Sequence, residues 1–189
     1  MDSILFPIHP EHCKRIIDGV KEWEFRTRPP KIEQDYRGFI YCTKSGYKRL
    51  VKDTPDGKVI GSGKVIGEFI CDDMVEVIKG GFVNPFAINN RILERGCLSP
   101  KEMLEYTDRY RKDLYALHIS QLVIYDEPKE LTRFVRPNTN CGVKDCGFYD
   151  GKRCAGCPYV CDKLIIKRAP QSWCYAEPIW ECGYDAGTD

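Results

Sequence analysis

Gly19-Val20-Lys21-Glu22-Trp23-Glu24-Phe25-Arg26 (GVKEWEFR) joins the end of a short amphipathic helix to a strand of alternating character. Successive side chains of a strand point to opposite faces, so Trp23, Phe25 and Thr27 share one side while Glu22, Glu24, Arg26 and Arg28 share the other. The first face suits a core. The second carries two acids followed by two bases, and Glu24 and Arg26 lie roughly 7 Å apart along the strand, within reach of pairing or of gripping one ligand together. The competing reading is a solvated face of surface ion pairs, each worth about 0–1 kcal/mol.

Upstream, Ser3 to Ile8 reads as a strand, and His9-Pro10 opens a helix with Pro10 at its first position. Cys13, Ile16 and Ile17 share a helical face, and Gly19 stands where a left-handed terminating residue is wanted. The helix therefore delivers Lys21 to the mouth of the next strand. His9 and His12 flank the helix start without a partner at ligand spacing, so they read as surface or capping residues.

Downstream, Pro29-Pro30 ends the strand and Arg37 to Thr43 forms a second β run. Lys44, Tyr47, Lys48, Arg49 and Lys52 then make a basic segment with an interleaved ring, suited to phosphates and a stacked base or, equally, to a lysine-protected edge. Gly57 to Gly67 holds GKVIG twice but lacks the spacing of a phosphate-binding P-loop, so it reads as a turn into a long strand, Lys64 to Cys71, continuing or bulging through Met74 to Ile78. Ser99-Pro100-Lys101-Glu102 is a capped helix start, with the helix running to about Arg111. Tyr115 to Tyr125 is one more long β run, in which His118 reads as structural.

The 189 residues are 42% hydrophobic, enough for one domain with a core and a small appendage. With 29 lysines and arginines against 28 acids, overall charge does not announce a nucleic-acid partner, and only a local surface does. The opening residues are too short and too proline-broken for a signal peptide or membrane span, so a cytoplasmic protein with no membrane association is expected. Eleven cysteines in a reducing compartment point to metal or buried thiols rather than disulfides.

Residues 137–163 contain five of those cysteines and little aliphatic content, so a metal is expected to tie them down. Zn²⁺ takes four thiolates tetrahedrally, and Cys154-x-x-Cys157 lets one turn supply two. Five candidates leave the ligand set open: Cys146, Cys154, Cys157 and Cys161 are favoured, with Cys141 as substitute and an iron–sulfur cluster as the alternative cofactor. Without an accompanying histidine or carboxylate cluster, a structural site is expected. The expected organisation is a β domain of residues 1–136 and 164–189 with a zinc-binding insertion at 137–163. Pro170 to Tyr175, including Ser172 and Trp173, reads as the last strand.

The GVKEWEFR stretch, following a strand and a short helix, resembles the GxKxxExR signature of ASCH domains in the PUA-like superfamily. With the final PQSWCY and the cysteine cluster, the chain resembles ASCH proteins of phages and gut bacteria. The resemblance implies an α+β fold, a PUA-like partly open β-barrel with flanking helices and a cleft lined by the signature. It further implies binding of RNA or a modified nucleotide, with Lys21, Glu24, Arg26, Thr43, Lys44, Tyr47, Ser172 and Trp173 as ligand residues. One ASCH branch hydrolyses acetylated cytidine nucleosides with a lysine, a threonine and a distant glutamate. Lys21 matches that lysine, but Glu24 stands in the threonine's place, so catalysis by Lys21 and Glu24 requires a carboxylate acting as base toward water. Alternatives to binding are thus an amidohydrolase of acylated nucleosides and a phage-type protein-interaction module.

Overall fold

Strand β1 (Ser3–Ile8) buries Ile4, Leu5, Phe6 and Ile8, so it is covered on both of its faces. The computed structural model describes residues 1–32, 35–44, 50–51, 59–60, 63–85, 90–137 and 164–179. Helix α1 (Pro10–Ile17) follows with Pro10 in its first turn and with Cys13 and Ile16 buried. Gly19, at φ +67°, takes the left-handed conformation open to glycine. The amides of Val20 and Lys21 then return to the Arg15 carbonyl, which turns the chain into β2 (Trp23–Arg26).

Strands β3 (Tyr36–Cys42), β4 (Leu50–Val51), β5 (Val59–Ile60), β6 (Lys64–Cys71), β7 (Met74–Lys79) and β8 (Phe82–Val83) precede helices α2 (Asn90–Gly96) and α3 (Pro100–Tyr106). They are followed by β9 (Leu114–His118), β10 (Ser120–Glu130), β11 (Phe134–Val135), β12 (Cys174–Tyr175) and β13 (Glu177–Pro178). One sheet has the order β10-β6-β3-β1-β12, with β1 and β3 parallel and the other pairs antiparallel. The second has the order β2-β9-β7-β8.

Between the two sheets, Ile4, Phe6, Ile40, Ile66 and Phe69 pack with Leu117 and Ile119. On the far side of the second sheet, Phe25, Val77 and Ala116 pack with Ile92 of α2 and Met103 of α3. A third cluster joins Leu5, Phe39 and Phe134 to Ile166 and Ala176 on the outer side of the first sheet. Strand β2 therefore has an apolar face against helices and a charged face against the other sheet.

The mixed α+β architecture agrees with expectation, but the strands close no barrel among the described residues. The Tyr115–Tyr125 run is not one strand. It divides at Ile119, whose amide bonds the Glu22 carbonyl, and β9 and β10 enter different sheets. Met74 likewise starts a strand of the second sheet rather than extending β6. The Ser99 capping box forms, with Ser99 accepting from the Glu102 amide and Glu102 bonding back to the Ser99 amide. Helix α3 nevertheless stops at Tyr106, short of Arg111, because Asp108, Arg109 and Tyr110 all take left-handed φ angles of 52–66°. Of the PQSWCY segment only Cys174–Tyr175 forms a strand, β12, which pairs with β1, and it is not the last strand because β13 follows it.

Tyr47, Lys48, Arg49, Lys52 and the five cysteines of 137–163 lie outside the described residues. Of the other six cysteines, Cys13, Cys42 and Cys71 are buried and Cys97 and Cys174 half-buried. Among the described residues no group of three or more His, Cys, Asp and Glu side chains is placed to hold a metal. Within them no helix is long and apolar enough to cross a membrane.

Candidate functional site

The turn after Gly19 drives Lys21 inward, leaving it 3% exposed. Its ammonium donates to the carbonyls of Trp23 (2.7 Å) and Gly96 (2.6 Å) and lies 3.5 Å from Glu24 Oε2. Three donors thus meet three acceptors. Burial pulls the Lys21 pKa below its ordinary value, with the Glu24 charge opposing that shift. The Gly96 carbonyl is within reach because α2 lies directly on β2: a β carbon at Gly96 would collide with the Phe25 ring. An Arg95–Glu22 ion pair fixes the same contact from the rim.

Glu24 Oε1 lies 3.0 Å from Arg26 Nη2, so the carboxylate is held between two cations. The Arg26 guanidinium also donates from Nη2 to the Pro7 carbonyl (2.9 Å) and from Nη1 to the Ser172 carbonyl (3.3 Å), and it stacks over Phe6. Its Nε is buried without a hydrogen-bond partner among the described residues. The charged face of β2 is thus not the solvated surface that alternation alone allows. It is the wall of an intersheet cleft, and each charge is neutralised or hydrogen-bonded there, as burial demands.

The cleft is a cavity of about 330 Å³. His9, His12, Cys97 and Tyr106 join the three charged residues around it. His9 is exposed, in line with the surface reading, and makes no side-chain cap for α1. His12 Nδ1 is buried and unpartnered among the described residues, which corrects the surface reading. Burial first, and the Lys21 charge second, push the His12 pKa below its ordinary value and keep the ring neutral. Cys97 turns left-handed at φ 53° just after α2. Tyr106 donates to the Phe25 carbonyl at 3.3 Å, and burial pushes its phenol pKa up.

The remaining expected residues are dispersed. Thr43 is half-buried, with its amide bonded to the Ile8 carbonyl, and Lys44 is exposed with its stem over Gly63. Ser172 meets the site through its backbone carbonyl. Trp173 donates to the Arg28 carbonyl at 2.6 Å and lines a separate groove. Sequence reasoning missed His9, His12, Cys97 and Tyr106. The two histidines are three residues apart, a spacing that shares a helical face, but Cys97 and Tyr106 arrive through tertiary packing alone.

No family model matches the chain, and no curated protein matches it. Solved structures do. The chain is similar to a serine-to-alanine variant of ASCH from Zymomonas mobilis at 20% identity and a TM-score of 0.50, covering 69% of this chain and 75% of that one. A tyrosine-to-phenylalanine variant and ASCH from the same organism align at TM-scores of 0.49 and 0.47, each at 20% identity over 69% of this chain and 77% and 74% of theirs. At this identity the likeness concerns the fold, and the chain has an ASCH-like fold.

Proposed function

We propose that the cleft binds a nucleotide of RNA, unpaired or modified, with its base seated beside Glu24, Arg26 and His12. The observation that carries this reading is a carboxylate fixed between two cations on the wall of a cavity of about 330 Å³ that His12 also lines, its buried Nδ1 without a hydrogen-bond partner among the described residues. That volume falls at the small end of the range for organic ligands, about 300–1,000 Å³. Fixed polar groups in an apolar cavity discriminate base edges because a wrong partner leaves them unpaired. Glu24 accepts from a base amino group, Arg26 donates from its unpartnered Nε, and His12 offers Nδ1. Lys21, with its donors already committed, positions Glu24 and the α2 terminus rather than touching ligand.

Binding is favoured over hydrolysis because both Glu24 oxygens already pair with cations, Lys21 and Arg26, an arrangement that suits a carboxylate to accepting hydrogen bonds rather than to taking a proton from water. Titration of the protein with nucleosides and nucleoside monophosphates tests the reading. Saturable binding that weakens about tenfold or more in Glu24→Gln is expected. No binding to wild type overturns it, and release of free nucleoside from an acylated one restores the amidohydrolase alternative.

For residues 137–163 the proposal remains a structural zinc held by four of the five cysteines. Metal analysis of purified protein should find about one zinc per chain. Its loss after combined substitution of Cys154 and Cys157 would support the site, and metal-free protein of unchanged stability would refute it.

A further inference from the structure

A second concavity, of about 790 Å³, opens at the far end of β2 and is lined by Arg28, Lys31, Met74, Tyr115, Trp173 and Tyr175 among others. We infer that it is a stacking groove for the nucleotides that flank the one in the cleft, so that the ligand is a short single strand. This inference rests on the cleft reading above.

Two concavities share one wall. Arg26, which points into the cleft, is the direct cross-strand partner of Tyr115, and facing pairs of an antiparallel ladder carry their side chains on the same side. Arg26 also bonds the Ser172 carbonyl, next to Trp173. Thr27 and Arg28 continue β2 into the groove. A chain leaving the cleft past Arg26 therefore meets these rings within about two residues of extended backbone, roughly 7 Å.

The groove surface has the chemistry of a base platform. The Trp173 indole spends its N–H on the Arg28 carbonyl, packs on the intersheet core and meets Tyr175 nearly edge-on, at 5.8 Å and 86°. Its ring is thus held in place before any ligand arrives. Tyr175 and Met74 are 38% and 41% exposed, two of the few large apolar side chains on the described surface. Stacking is sequence-tolerant and each ring contributes substantially. Charge complements the rings: Arg28 and Lys31 are exposed and have no carboxylate partner among the described residues. Asp113, the acid in the groove, accepts from the Gly80 amide at 2.8 Å. Cations interleaved with rings favour a phosphodiester strand over an uncharged apolar partner.

The test compares mono-, di- and trinucleotides of one sequence, as RNA and as DNA, followed by calorimetry and tryptophan fluorescence. For wild type, the trinucleotide should bind about tenfold or more tightly than the mononucleotide and quench fluorescence. Exposed Tyr175→Ala and Arg28→Ala should each reduce that length-dependent gain while leaving mononucleotide affinity unchanged, and Trp173→Phe should remove most of the quenching. Equal affinity for one and three nucleotides, or a gain that survives both Tyr175→Ala and Arg28→Ala, overturns the groove. Failure of the cleft reading looks different: no mononucleotide binding and no effect of Glu24→Gln on any length. Matching RNA and DNA affinities would assign the groove to single strands in general, while an RNA preference would place a 2′-hydroxyl contact in it.

Discussion

Helix α1 carries two ion pairs, Lys14–Asp18 and Arg15–Glu11, whose side chains are 36–56% exposed. A few residues on, Lys21, Glu24 and Arg26 use the same chemistry with 2–9% exposure. The difference between them is cover. On α1, water solvates each charge whether or not its partner is present, so each pair contributes little. In the cleft, the charges have surrendered water for one another and for backbone carbonyls, so removing one leaves the others stranded.

The largest expected effect follows directly. Glu24→Ala leaves two buried cations without a carboxylate and should cost about 3–5 kcal/mol in urea unfolding. A cost below about 1 kcal/mol would place the trio with the surface pairs. The triple substitution Lys21→Met, Glu24→Leu and Arg26→Met sharpens the contrast. By removing every charge together it should destabilise less than Glu24→Ala alone, although ligand binding is lost.

A smaller effect concerns pH. The His12 pKa is depressed in the fold, so above the ordinary value of 6.5 both folded and unfolded rings are neutral and the residue adds no slope. On acidification below 6.5 the unfolded chain takes up the proton first, and stability falls until the folded ring also titrates. His12→Gln should flatten that fall by a fraction of one proton's slope, measured as stability between pH 7 and pH 5. An unchanged slope would mean that the ring is solvated. The smallest effect is Asp18→Asn, expected to change stability by about 0–0.5 kcal/mol in the same assay, and a larger loss would show α1 pairs acting like the buried ones.

Much of the frame was legible. Gly19, Pro10 and the Ser99–Glu102 box act through local backbone geometry, which neighbouring residues specify, and they stand where the sequence puts them. The alternation in β2 was legible too, but four residues of strand carry no information about what covers the charged side. Cover comes from β1, one helix upstream, and from α2 and the Ser172 segment, 75 and 146 residues along the chain from the side chains they meet. For the same reason His12 passed for a surface residue. The break at Ile119 was hidden because a continuous β run has the same composition whether it stays in one sheet or crosses to another.

The pairing of β12 with β1 also sets an order of events in time. The strand translated first among the described elements receives one of its neighbours only when residues 174–175 have been made. Until then β1 presents an unpaired edge, the kind of surface on which growing chains stick to one another. The same late segment brings the Ser172 carbonyl to Arg26 and Trp173 to the groove. A nascent chain halted before it would carry every charge of the cleft and still lack both the Ser172 contact to Arg26 and the Trp173 wall of the groove.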